Sequence, residues 1–133
     1  LVEQYRIPVH ARTLEFPAGL IGDVEHFGGE ANAEAARREL IEETGYEAAA
    51  LHPLTCGPYS PARSNALYTF FRASGLRQVG EGGGDEHEDI EVHAIPLAEV
   101  HDWLEQKAAA GLMIDPKIYA GLYFLGKENS PQP

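Results

Sequence analysis

The sequence predicts a domain of the α/β class (α+β by some schemes), a mixed β-sheet covered by helices on both faces. Two observations carry this. Segments rich in β-branched and aromatic residues alternate along the chain with segments of helical period, the pattern of a layered sheet-and-helix domain. One of those helical segments is crowded with carboxylates along one edge. No internal repeat or composition shift divides the 133 residues, of which 44% are hydrophobic, so one core is expected. Residues 1–126 are assigned to that domain and 127–133 to a flexible tail.

Leu1 to Val9 and Thr13 to Phe16 predict two short strands joined by a turn, the second ended by Pro17-Ala18-Gly19. From Asn32 or Ala33 to Thr44 the residues are strong helix formers, with Asn32 as a cap and Gly45 as the stop. Ala33, Ala36 and Leu40 centre its apolar stripe. Glu47 to Leu54 and Asn65 to Arg72 read as strands around a loop at Cys56-Gly57-Pro58-Tyr59-Ser60-Pro61. Gln78 to Asp89, a glycine-rich acidic stretch with Val79 as its one packing residue, predicts a mobile loop. Ile90 to Ile95 is a further strand, and Pro96 to Lys107 a helix with Leu97, Val100, Trp103 and Leu104 at helical spacing. A last helix starts at Asp115-Pro116 and runs to Leu125, with Ile118, Leu122 and Leu125 inward, and Gly126 to Pro133 reads as disordered.

Composition narrows the function classes. A net charge of -11 excludes the basic footprint that nonspecific nucleic-acid binding uses. A nucleotide remains a possible substrate where a cation mediates the contact. No run approaches the ~20 apolar residues of a membrane span. Cys56 is the single cysteine, so no internal disulfide forms, which fits a reducing cytoplasm. It reads as a passive packing residue. The chain begins at Leu1 within a strand-like segment, which suggests a piece lacking an N-terminal part. Trp103 reads as core, and His26, His87 and His93, without ligand spacing, as surface or edge residues, with His87 beside an acidic candidate.

Glu39, Glu42 and Glu43 fall within an arc of roughly 100° at ~100° per residue. Ionised side by side they repel, and a divalent cation with hard oxygen ligands, Mg²⁺ or Mn²⁺, is the natural compensator. An isolated Glu-x-x-Glu-Glu is more often a solvated helix face paired with residues such as Arg37 and Arg38. The full spacing changes the odds. Glu30, seven residues, then Arg38-Glu39-Leu40-Ile41-Glu42-Glu43-Thr44-Gly45-Tyr46 resembles the later two thirds of the Nudix box, G-x5-E-x7-R-E-U-x-E-E-x-G-U. The box's first glycine would fall on Val24. Gly19 is separated from Glu30 by ten residues instead of five, which implies a five-residue insertion within Ile21 to Gly29; a loop accepts such an insertion cheaply.

The flanks narrow the resemblance to the ADP-ribose pyrophosphatase (ADP-sugar diphosphatase) branch. Gln4-Tyr5-Arg6 with Pro8, Leu14 to Ile21, Ser60-Pro61-Ala62-Arg63-Ser64-Asn65, Glu88 to Val92 and Gly111 to Ala120 all resemble it, although Ala62 replaces a usual glycine. The resemblance implies the Nudix fold, an α/β/α sandwich. It implies metal ligation by Glu39, Glu42, Glu43 and the Ala18 carbonyl, and an orienting role for Arg38. Arg6, Glu15, Gly19 and Ser64 would bind substrate. Glu88 is the implied water-activating base, with Glu86 its rival and Glu42 also assigned to the catalytic set. The implied reaction is Mg²⁺-dependent (Mn²⁺ possible) hydrolysis of ADP-ribose or a related nucleotide sugar to AMP and ribose 5-phosphate, in a homodimer whose adenine pocket draws on N-terminal strands. Another nucleoside diphosphate substrate, or a non-catalytic nucleotide-binding module, is the alternative.

Overall fold

A computed structural model of the chain describes residues 1–21, 32–84 and 88–128. Its elements in order are β1 (Val2–Arg6), a 3-10 turn (Ile7–Val9), β2 (Ala11–Glu15), α1 (Asn32–Thr44), β3 (Tyr46–Pro58), β4 (Leu67–Gln78), β5 (Glu91–Val92), α2 (Val100–Ala109), β6 (Met113–Ile114) and α3 (Lys117–Glu128). They form a mixed four-stranded sheet in the order β5-β1-β2-β6 and a two-stranded sheet of β3 and β4. β1 is antiparallel to both β2 and β5, whereas β2 and β6 run parallel.

Side chains alternate across a strand, so the pairing register assigns faces. Glu3 pairs with Leu14 and Tyr5 with Arg12, which puts these four on one face. Gln4 with Thr13, Arg6 with Ala11 and Val2 with Glu15 share the other. Leu14 anchors the core together with Val100 and Leu104 of α2 and Ile118 and Leu122 of α3, joined at the rim by Phe16, Trp103, Ile114 and Leu125. Leu14, Leu104 and Ile118 are fully inaccessible. The expected inward face of the last helix is therefore the observed one, and Trp103 is core.

The structure corrects several boundaries. Cys56-Gly57-Pro58 belongs to β3, and the turn lies between Tyr59 and Ala66, closed by a hydrogen bond from the Tyr59 amide to the Ala66 carbonyl. β4 runs to Gln78, six residues past the expected end, because it stays paired with β3 along its length. The strand expected over Ile90 to Ile95 shrinks to two residues. α2 starts at Val100, after a turn through Pro96, and leaves Leu97 exposed. β6 was not foreseen; two residues give no periodicity, and the pairing comes from the parallel register to Thr13 and Leu14. α3 continues through Glu128, so Lys127, assigned to the tail, is helical. Cys56 is exposed.

α1 packs mainly on β3 and β4, and Arg37 donates to the Ala48 carbonyl of β3. Its inward face differs from the expected apolar stripe. Ala33 is exposed, whereas Ala35 and Glu43 are buried. Residues 35, 39 and 43 are spaced by four and line up on one side. The helix thus turns Glu43, with Glu39 beside it, toward the protein and leaves Glu42 exposed, while Ala36 and Leu40 are half-buried.

The glycine-rich stretch after β4 was expected to be mobile, yet residues 79–84 are docked on the end of α1. The amides of Val79 and Gly80 donate to the Gly45 carbonyl, that of Gly83 to Glu43 and that of Gly84 to Glu42. The last carbonyls of a helix lack intrahelical partners, and this segment supplies their donors. Gly82 has φ 72°, and a Cβ there would run into the Thr44 carbonyl carbon. Low complexity here reflects close backbone approach.

Candidate active site

The site lies where the sheet face carrying Arg6 and Glu15 meets the inward edge of α1. Arg6 donates from Nε to Glu15 Oε1 at 2.8 Å and from Nη2 to Glu15 Oε2 at 2.9 Å, a two-pronged pair within one sheet face. Glu15 also accepts from Thr13 Oγ1. Burial raises the Glu15 carboxyl's pKa, but the bonds from Arg6 and Thr13 outweigh it and leave it below the ordinary value. The bond to Glu15, with the charges of Glu43 and Glu88, holds Arg6 above its ordinary value. Arg6 and Glu88 line one cleft, and Arg6 feels the charge of Glu43 as well.

Glu43 is the most perturbed group. It is 3% exposed, and burial, reinforced by the charges of Glu39 and Glu88, pushes its pKa up to about 8. The opposing influences are the Ala18 amide, which donates to Glu43 Oε2 at 3.2 Å, and Arg6. Glu39 and Glu42 are bridged by Arg38, whose Nη1 lies 2.6 Å from Glu39 Oε1 and 3.0 Å from Glu42 Oε2. The Glu39 carboxylate occupies the space that a side chain at Gly19 would fill. Glu88 lies against Gly84 in the same way, which brings it to the end of α1. Arg6 and Glu88, with Tyr5, Ile7 and Pro8, line an open cleft of about 420 Å³, within the size range of small-molecule sites.

Arg38 serves Glu39 and Glu42, and Arg6 only partly offsets the burial of Glu43, so these hard-oxygen donors are of the type that suits a divalent cation. Glu39, Glu42 and Glu43 are the side chains that would hold it.

The structure thus brings Arg6, Glu15, Ala18, Gly19, Arg38, Glu39, Glu42, Glu43 and Glu88 to one region. Ser64 is used otherwise. Its Oγ accepts from the Ala66 amide in the exposed β3–β4 turn. Glu30, Glu86, His26, His87 and the inserted loop lie outside the described residues.

A second polar group escaped the sequence reading. Glu3, on the sheet face opposite Arg6, receives Arg12 Nε at 2.7 Å and contacts His93 Nε2 at 3.0 Å, with Lys107 Nζ at 3.8 Å. Burial alone would raise the Glu3 carboxyl's pKa, but these partners bring it below its ordinary value. His93, expected at the surface or an edge, follows the edge strand β5, is largely buried and lies tilted against the Trp103 ring at 5.1 Å. Glu3, Glu91 and His93 converge within 4.8 Å, but Arg12 and Lys107 already supply the positive charge there. A glutamate between hydrophobic strand residues was the available signal, and only the register tells which residues face it.

Comparison with known proteins agrees with this architecture. The Nudix-domain family profile matches residues 1–115, and the chain belongs to the Nudix family. Within it, similarity extends to the mouse ADP-sugar pyrophosphatase, 35% identical over 130 residues, covering 90% of this chain and 56% of that protein. The Escherichia coli K12 ADP-ribose pyrophosphatase is 30% identical over 118 residues, covering 80% of this chain and 52% of that protein. A crystal structure of an ADP compounds hydrolase superposes with a TM-score of 0.73 at 27% identity, covering 96% of this chain and 63% of that one. The chain spans about half the length of the curated relatives it matches. Among the described residues no helix is long and apolar enough to cross a membrane.

Proposed function

We propose that the protein hydrolyses the diphosphate linkage of ADP-ribose or a related nucleoside diphosphate sugar, giving AMP and ribose 5-phosphate. The observation that supports this reading is the cleft lined by Arg6 and Glu88, set beside a carboxylate helix whose buried Glu43 accepts from the Ala18 amide and whose Glu39 lies against Gly19. A water oxygen attacks phosphorus, the bridging P–O bond breaks, and the water's proton passes to Glu88 as general base. Arg6, held rigid by Glu15, binds the substrate's phosphates and offsets their charge. Glu39, Glu42 and Glu43, with the Ala18 carbonyl, would hold the cation, and Arg38 keeps Glu39 and Glu42 in place. When bound, such a cation, Mg²⁺ with Mn²⁺ able to substitute, would supply positive charge for the substrate's phosphates and lower the pKa of water. Gly19 and the cleft at Tyr5 to Pro8 give the substrate room.

The working form is a homodimer, as in the branch it resembles, and one cysteine fits the cytoplasm. Incubation with Mg²⁺ and ADP-ribose should release AMP, and Glu43→Gln should abolish the release. No AMP from the wild-type protein ends this reading. Similarity to the GDP-mannose pyrophosphatase of Pectobacterium atrosepticum, 36% identical over 108 residues, supports a second substrate class. GDP-mannose therefore belongs in the same assay, and a preference for it would move the reading to that class.

A further inference from the structure

We propose that Arg12 is a positioning residue for Glu88: it reaches across β1 to Asp89 and holds the run-in to β5 in register, so that Glu88 stands level with Arg6. This rests on the hydrolase reading above. β5 pairs with β1 through Glu91 to Glu3 and Val92 to Val2. Carried back along the chain, that register sets Asp89 level with Tyr5 and Glu88 level with Arg6. Ladder pairing has stopped by that point, since residues 88–90 form no strand. Another contact must hold them there.

Arg12 supplies it. It pairs with Tyr5 on the far side of β1, and its Nη1 lies 3.3 Å from Asp89 Oδ2. An exposed ion pair of this kind holds little by itself, and the Asp89 side chain is 93% exposed. Arg12, however, is fixed before it meets Asp89. Its Nε is bonded to the buried carboxylate of Glu3 and its Nη2 lies 3.5 Å from the Glu3 carbonyl. Glu3 is in turn held by His93 and Lys107. The guanidinium therefore loses little further freedom on gripping Asp89.

Glu88 lines the same cleft as Arg6, so fixing Asp89 to Arg12 holds its neighbour Glu88 beside Arg6. On the other side of the segment, the Gly83 and Gly84 amides bind the end of α1, and Glu88 rests against Gly84. The base is thereby set between two anchored points, one on the sheet and one on the helix.

The test is steady-state hydrolysis of ADP-ribose with Mg²⁺ by Arg12→Met, Asp89→Asn and Asp89→Glu, each also built on a Glu88→Gln background. Arg12→Met and Asp89→Asn should each lower kcat about tenfold with KM within about twofold, since a displaced base slows chemistry more than binding. Asp89→Glu should recover most of the rate. Adding Arg12→Met or Asp89→Asn to Glu88→Gln should cost nothing more, because the residue being positioned has lost its function. Hydrogen exchange at residues 88–91 should quicken in Arg12→Met. Losses that multiply on the Glu88→Gln background overturn the proposal, as does an Arg12→Met enzyme with wild-type kcat. Asp89→Asn keeps the test valid if Arg12→Met folds poorly, since the Asp89 side chain is exposed. A wild-type protein inactive on ADP-ribose removes the hydrolase reading, and this inference with it. An active wild type that depends on Glu88 but not on Arg12 removes this inference alone.

Discussion

Replacing Glu43 by glutamine should make the cation-free protein more stable at alkaline pH while abolishing activity. Glu43 has an ordinary pKa of 4.5, pushed to about 8 by burial and by the charges of Glu39 and Glu88. A carboxyl whose folded pKa lies above its unfolded value binds its proton more tightly when folded. Its contribution to stability is therefore complete below about pH 4.5 and is lost as pH rises through about 8. At roughly 1.36 kcal/mol per pH unit, the loss reaches about 3–5 kcal/mol. Glutamine keeps an oxygen for the Ala18 amide and carries no charge to bury. Urea denaturation of both proteins in EDTA from pH 4 to 9 measures the effect. The difference between them isolates Glu43 from the other acidic residues. It should be small at pH 4 and favour Glu43→Gln by about 3–5 kcal/mol at pH 9. Mg²⁺ should narrow the gap by stabilising the wild type alone. Parallel curves across the whole range would show that the Glu43 charge is compensated within the protein, and the argument for a cation at this position would fail.

Three further predictions concern the frame of the fold. Gly82→Ala forces a Cβ into the Thr44 carbonyl carbon at φ 72° and should lower stability by about 1–3 kcal/mol in thermal melts. Gly126→Ala in α3, where an added Cβ meets nothing within 4 Å, should raise it by about 0.5–1 kcal/mol. Leu104→Ala removes a fully buried side chain that touches the Leu14 and Ile118 core and should cost about 2–5 kcal/mol, read by urea denaturation.

The strands and helices were legible where composition and period agree. Asn32 to Thr44 and the inward residues of the last helix, Ile118, Leu122 and Leu125, are cases of this. The part of the site carried by contiguous residues was legible for the same reason, since Arg38 to Glu43 sit on one helix. What the sequence could not show is which side of that helix turns inward. Apolar spacing pointed to Ala33, Ala36 and Leu40, but Ala35 and Glu43 are the buried ones and Ala33 is exposed, Glu43 being drawn in where the Ala18 amide donates to it. The docking of Gly80 to Gly84 was hidden because glycines used for close approach look the same in sequence as glycines used for flexibility. Glu3, Arg12 and His93 were missed because their grouping comes from strand register between distant segments.

The pairing pattern also sets an order of assembly. α1, β3 and β4 follow one another directly and pack together, whereas β1 pairs with β5 and β2 with β6 from opposite ends of the chain. Closing long loops costs more entropy than closing short ones, so the helix and hairpin can form early and the four-stranded sheet late. Arg6, Glu15 and Ala18 arrive with that sheet. A nascent chain would thus carry its acidic helix for a time without the groups that make it a site, and competence would come only with the last strands to pair.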